Sequence, residues 1–233
     1  MYTNPPMGLT LLIIFMFVAF FLTTLFRKWL DIPTLIAVAI GCAVNANIFN
    51  PITAPIPVGP FTFSVEVILY TLYMYTIMVR ILDYSYYEGK RMTFTSIAAI
   101  IISALIETVS KLATANSFDT VIFKDLAGYL FSCLGTIVGV WIMVLLTIHL
   151  RKANVNSLII IMISIALSSM IHSVIYYGGL ALIHQDVGIY TWNCVYGTLL
   201  GKAVCILLAM FCYFVNQKWW KPNIKKQEQN KEK

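Results

Sequence analysis

The chain has 233 residues, 60% of them hydrophobic and only 11% charged, with a mean hydropathy of +0.82. An ordinary soluble domain carries about 25% charged residues, and a chain this short has too much surface to cover with so few. The composition excludes a water-soluble globular domain and points to lipid, a solvent in which an apolar exterior has no cost. The net charge of +6 is not a nucleic-acid footprint, because the basic residues sit at the ends of apolar segments rather than in a patch.

A helix needs about 20 mostly apolar residues to cross a bilayer. The opening MYTNPPMG lacks the basic start of a signal peptide, and no small-residue cleavage site follows, so the first apolar segment is expected to be retained. Seven stretches qualify as spans, approximately 8–27, 33–49, 61–82, 93–114, 127–149, 157–183 and 191–215. Together they make one all-α helical domain, 1–216, followed by a basic tail, 217–233. The second stretch is the shortest. It carries Asn45 and Asn47 and runs into NPITAPIPVGP. Pro51, Pro55, Pro57 and Pro60 forbid a continuing helix there and favour a stiff extended connection. This stretch reads either as a full span or as a re-entrant hairpin, which would leave six spans.

Charge decides for an odd number of crossings. Alternate connections contain Arg27 and Lys28, then Arg80, Lys90 and Arg91, then Arg151 and Lys152, and finally the lysines of the tail. These are most of the 16 Lys and Arg residues. The opposite connections hold Lys124, with Lys111 at a neighbouring helix end. Basic residues mark the cytoplasmic side, so the reading is N-terminus outside, tail in the cytoplasm, in the cell membrane. Trp219, Trp220 and Tyr213 at one end of the last span, and Tyr190 and Trp192 at the other, are interfacial anchors.

Charged and polar residues at membrane depth are costly and usually face a bundle interior or a wet cavity. In the third span Glu66, Tyr70, Tyr73 and Arg80 form one stripe at helical spacing. In the fourth, Ser96, Ser103, Glu107, Ser110 and Lys111 share a face, with Glu107 and Lys111 placed for an intrahelical ion pair. The sixth carries Ser168, Ser169, His172, Ser173 and Tyr176. The seventh places Lys202 near mid-membrane, one turn after Thr198. Arg80 falls at the inner end, where it snorkels or meets Asp83. The remaining costly residues gather from mid-membrane to the outer face. They suit a pocket open to the outside for a small polar or aromatic solute, lined by Glu66, Glu107, His172 and Lys202, with Tyr70 and Tyr73 as walls. The same residues also read as a neutralising set, Glu66 or Glu107 against Lys202, and His172 as a buried neutral histidine bonded to a serine.

Cys42, Cys133, Cys194, Cys205 and Cys212 lie in or beside apolar segments without metal-ligand spacing, and read as small packing residues. Ala39/Ala43, Gly135/Gly139 and Gly197/Gly201 read as contacts between helices inside the chain. No metalloprotease, nucleophile-elbow, P-loop or dinucleotide fingerprint is present, so neither an enzyme nor a cofactor is expected. In SSMIHS, serine and histidine are neighbours on one helix without a third orienting group.

The stretches VEVILYTLYMYTIMVRILDYS, TSIAAIIISALIETVSK and LGTIVGVW resemble the small vitamin-uptake-type membrane proteins of low-GC Gram-positive bacteria. These comprise substrate-binding subunits of energy-coupling-factor transporters, queuosine-precursor transporters and vitamin-uptake-like sensor domains. The resemblance covers spans two to seven. It implies a six-helix binding core with both ends cytoplasmic, here preceded by one extra helix. It also implies docking of a transporter coupling subunit on an Ala-xxx-Ala face, which Ala39 and Ala43 match. The expected function is therefore binding or uptake of a vitamin- or nucleobase-like solute. The competing expectation is a non-transporting sensor or scaffold that docks a protein partner through its inner loops and tail.

Overall fold

The computed structural model describes residues 56–58, 61–63, 66–83, 86–114, 120–183 and 192–219, together with isolated helical positions between 14 and 44. The described architecture is a helical bundle with one small hairpin. Strands β1 (Ile56–Val58) and β2 (Phe61–Phe63) pair antiparallel, with Ile56 opposite Phe63 and Val58 opposite Phe61. Five helices follow: α1 (Glu66–Asp83), α2 (Tyr86–Thr114), α3 (Thr120–Lys152), α4 (Ser157–Ile183) and α5 (Trp192–Trp219). The two spans expected at 8–27 and 33–49, with Asn45, Asn47 and Ala43, lie largely or wholly outside the described residues. So do the tail beyond 219 and the side chains of Glu66, Lys111 and Trp192.

The segment expected as a span over 61–82 is divided. Its first residues form β2, and the helix begins at Glu66. The physical reason is the proline-rich stretch before it. Extended Ile56–Val58 offers a ladder to Phe61–Phe63, whose aromatic and β-branched side chains suit a pleated strand, while Pro60 gives no helical amide.

Helix α1 is the axis of the described bundle. It packs on α2, α3, α4 and α5, and from Val67 to Ile81 every residue is buried. An all-round apolar helix is stable only when enclosed. Its two threonines are satisfied locally: the Thr71 and Thr76 hydroxyls donate to the carbonyls of Val67 and Leu72 at 2.7 Å, the i−4 bond available to threonine in a helix. Four other helical segments, Tyr86–Ser110, Leu126–Lys152, Ser157–Ile183 and Tyr196–Val215, are long and apolar enough to cross a membrane. Each presents an exposed apolar stripe, for example Leu130, Leu134, Trp141 and Leu145 on α3, or Leu200, Val204, Leu207 and Phe211 on α5. Stripes of that extent are unstable in water and neutral in lipid, so this is a membrane-embedded helical bundle.

The α3–α4 hairpin holds the polar interior in register. At its turn, Asn154 adopts a left-handed φ of 56°. The Asn154 amide bonds the Arg151 carbonyl at 3.0 Å and the Val155 amide bonds the Leu150 carbonyl at 3.1 Å. This is a Schellman ending, with asparagine where glycine is most common. Asn156 then caps α4, its Oδ1 accepting from the Leu158 amide at 2.9 Å. From this turn the helices run antiparallel, and Gly135 and Gly139 of α3 lie against His172 and Ser168 of α4. The small-residue pair is thus an internal contact, as its spacing suggested. Ala39 is fully buried within the chain.

A methyl group on Gly139 would meet the Tyr70 hydroxyl and both the hydroxyl and carbonyl of Ser168, whereas one on Gly178 would meet nothing within 4 Å. Gly139→Ala is expected to cost about 1–3 kcal/mol through overpacking. Gly178→Ala should be neutral or stabilising by up to about 1 kcal/mol through helix propensity. Thermal unfolding of both variants in one detergent checks this, and equal midpoints would contradict the packing described.

Candidate functional site

Three of the six sequence-derived candidates meet at one place. Helix α5 carries Lys202 near its middle. Helix α4 carries Ser169, His172 and Ser173 on one face, at i, i+3 and i+4. Helix α1 supplies Tyr70. The Lys202 side chain is 1% exposed. Its Nζ donates to Ser173 Oγ at 3.0 Å, lies 3.1 Å from His172 Nδ1 and 3.4 Å from the Ser169 carbonyl. It also stands 4.7 Å from the centroid of the Tyr70 ring, within cation–π range. Such bonds are what make burial of an amino group tolerable, since desolvation alone costs several kcal/mol.

Tyr70 ties this group to the rest of the interior. Its ring lies 4.2 Å from the His172 ring, centroid to centroid. Ser168 Oγ donates to the Gly139 carbonyl at 2.8 Å. A hydroxyl has one proton, so in the 3.2 Å Tyr70–Ser168 contact the phenol is the donor. An aromatic column continues along α4: His172 and Tyr176 are near parallel with centroids 6.1 Å apart, and Tyr176 meets Tyr177 edge-on at 4.9 Å. The Tyr177 hydroxyl lies 2.6 Å from Thr198 Oγ1, one turn before Lys202.

Tyr73 and Glu107 lie apart, and the side chain of Glu66 is outside the described residues. Tyr73 is buried but turns to α2, where its hydroxyl meets Ser96 Oγ at 2.8 Å. Glu107 is half-buried on α2, on the same face as Ser103, whose hydroxyl lies 3.4 Å from that of Tyr129 on α3. Glu66 opens α1 one turn before Tyr70.

A second polar cluster, at the basic end of the bundle, was not assembled by sequence reasoning. Arg80 reaches Glu88, with Nη2 3.9 Å from Oε2. Asp83, 2% exposed, accepts from the Tyr213 hydroxyl at 3.3 Å and from Gln217 Nε2 at 3.4 Å, and Gln217 also donates to Tyr213 at 2.8 Å. Arg151 Nη1 donates to the Ile81 carbonyl. These bonds close the ends of α1, α2, α3 and α5 on one another. The signal for it in the sequence is the i, i+4 spacing of Tyr213 and Gln217, at the junction of the last span and the tail.

Comparison with known proteins gives no match: no family model, no curated protein and no solved structure is similar to this chain.

The lysine site also contains the hydroxyl of Ser169. Ser169 Oγ is buried and makes no hydrogen bond among the described residues, although its own backbone carbonyl faces Lys202. Ser169→Ala is expected to be neutral or mildly stabilising, because it removes an unsatisfied group. Ser173→Ala should cost about 1–3 kcal/mol, because it leaves a buried donor unmatched. Unfolding midpoints of the two variants check this, and equal losses would contradict the bonding described.

Proposed function

We propose that the chain is a multi-pass protein of the cell membrane that binds or takes up a small polar or aromatic solute, vitamin- or nucleobase-like, from an outward-facing pocket. In this reading it crosses the bilayer seven times, with its N-terminus outside and its tail in the cytoplasm. The solute is recognised by non-covalent contacts, and no bond is made or broken. The observation that carries the reading is the Lys202–His172–Tyr70 group. An aliphatic side chain at position 202 would fill the same space without the desolvation cost, so packing alone does not account for a lysine there. A basic nitrogen, two aromatic faces and a hydroxyl that makes no hydrogen bond among the described residues, gathered at mid-helix in an apolar bundle, are the elements of a small-molecule site.

The resemblance to vitamin-uptake-type proteins adds the six-helix core with one additional helix in front. It also adds a coupling subunit as partner, but Ala39 is buried within the chain, so the proposal rests on the solute and not on that docking face. In this proposal Lys202 and His172 supply the polar contacts and Tyr70 the wall, while Glu107 stands on α2 beside Ser103.

Native mass spectrometry of protein purified in mild detergent tests the proposal. The wild type is expected to carry a co-purifying small molecule that Lys202→Met loses and Lys152→Gln keeps. A molecule retained equally by Lys202→Met would remove this site from the function. A wild type that is empty and gains no thermal stability from a panel of vitamins and nucleobases would contradict solute binding itself.

A further inference from the structure

Helices α2 and α3 run antiparallel, in a register set by two contacts: Ser103 to Tyr129, and the Phe94 and Trp141 rings, edge-on with centroids 5.5 Å apart. The second contact lies on the outside of the bundle, with Phe94 49% and Trp141 38% exposed. One turn toward the basic end, Lys90 Nζ stands 5.8 Å from the centroids of both Tyr86 and Phe94. Arg91 beside it is exposed. Stepping one turn along α3 from Trp141 brings exposed Leu145 to the level of Lys90.

The basic residues of this end divide into two kinds. Arg80 is engaged with Glu88, and Arg151 with the Ile81 carbonyl. Lys90 and Arg91 make no ion pair among the described residues. The result is a cationic head over an aromatic floor, opening onto a trough formed by Phe94, Trp141 and Leu145 that runs into the apolar part of the span.

We propose that this groove between α2 and α3 seats an anionic phospholipid, its phosphate at Lys90 and Arg91 and one acyl chain along Phe94 and Trp141. Charge complementarity selects this occupant. A zwitterionic lipid brings no net charge to the two cations, and a transmembrane helix would have to bury them. A free phosphate would leave the apolar trough uncovered. The phenol of Tyr86 adds a hydrogen-bond donor at headgroup level, where tyrosine commonly sits. The proposal is independent of the solute site.

The test is native mass spectrometry of the full chain titrated with phosphatidylglycerol or with phosphatidylcholine of the same acyl chains. Wild type is expected to retain phosphatidylglycerol preferentially. Lys90→Gln/Arg91→Gln should lower that affinity by about fivefold for each cation removed, leaving phosphatidylcholine unchanged. Phe94→Ala should weaken both lipids, and Lys90→Arg, which keeps the charge, should retain wild-type preference. Equal retention of the two lipids by wild type would overturn the proposal, as would undiminished phosphatidylglycerol binding by the double glutamine variant. Displacement of bound lipid by millimolar glycerol phosphate would assign the site to a soluble phosphate instead.

Discussion

The polar interior of this bundle is organised around the burial of one amino group. Lys202 projects from the middle of α5 into a space where the described contacts are a hydroxyl, an imidazole nitrogen, a carbonyl and a tyrosine face. For those four groups to converge, α4 must turn its serine–histidine face inward and α1 must bring Tyr70 alongside. Both movements depend on α3. With glycine at 135 and 139, α4 comes close enough for Ser168 to donate to the Gly139 carbonyl, which in turn leaves Ser168 to accept from Tyr70. The site and the packing are therefore one construction. A side chain at Gly139 would disturb it although that residue touches neither Lys202 nor His172 in any described contact.

Much of this was legible in the sequence because membrane-embedded chains follow strong rules. Apolar length marked α2 to α5, and the rarity of charge in such segments singled out Lys202, His172 and the serines of α4. Other features were not legible. Helix α1 reads like any other apolar segment, yet it is buried at every position from Val67 to Ile81. Enclosure is a property of its neighbours, not of its own periodicity. The strand at Phe61–Phe63 was hidden in an apolar run, because a short run of that kind carries no periodicity to separate strand from helix. Tyr73 shares a stripe with Tyr70, but a turn of a few tens of degrees sends one phenol to α2 and the other to α4, a difference that spacing does not resolve.

The two polar clusters divide the bundle. At one end Asp83, Tyr213 and Gln217, with the Arg80–Glu88 pair and the Arg151 bond to the Ile81 carbonyl, tie together the termini of four helices through buried charge and charge-assisted bonds. At mid-helix the lysine site has tyrosine and histidine faces and the Ser169 hydroxyl, which makes no hydrogen bond among the described residues. The first arrangement links helix termini to one another; the second gathers an amino group, an imidazole and tyrosine faces in the middle of the helices. The aromatic faces beside the amino group are why the proposed solute site is Lys202 and not the charged end. The outer surface follows lipid in the same way, with exposed apolar stripes along the spans and, at the basic end, Lys90 beside the Tyr86 and Phe94 rings.

A double-mutant cycle between Lys202 and His172 tests this account most directly. Lys202→Met, His172→Gln and the combined variant would be unfolded reversibly in the same mixed micelles. Residues in one buried hydrogen-bond group are expected to couple by about 0.5–3 kcal/mol, so the double variant should lose clearly less than the sum of the two single losses. Losses that add within about 0.5 kcal/mol, the behaviour of distant independent sites, would mean that Lys202 and His172 do not share a site, and the central claim would fall.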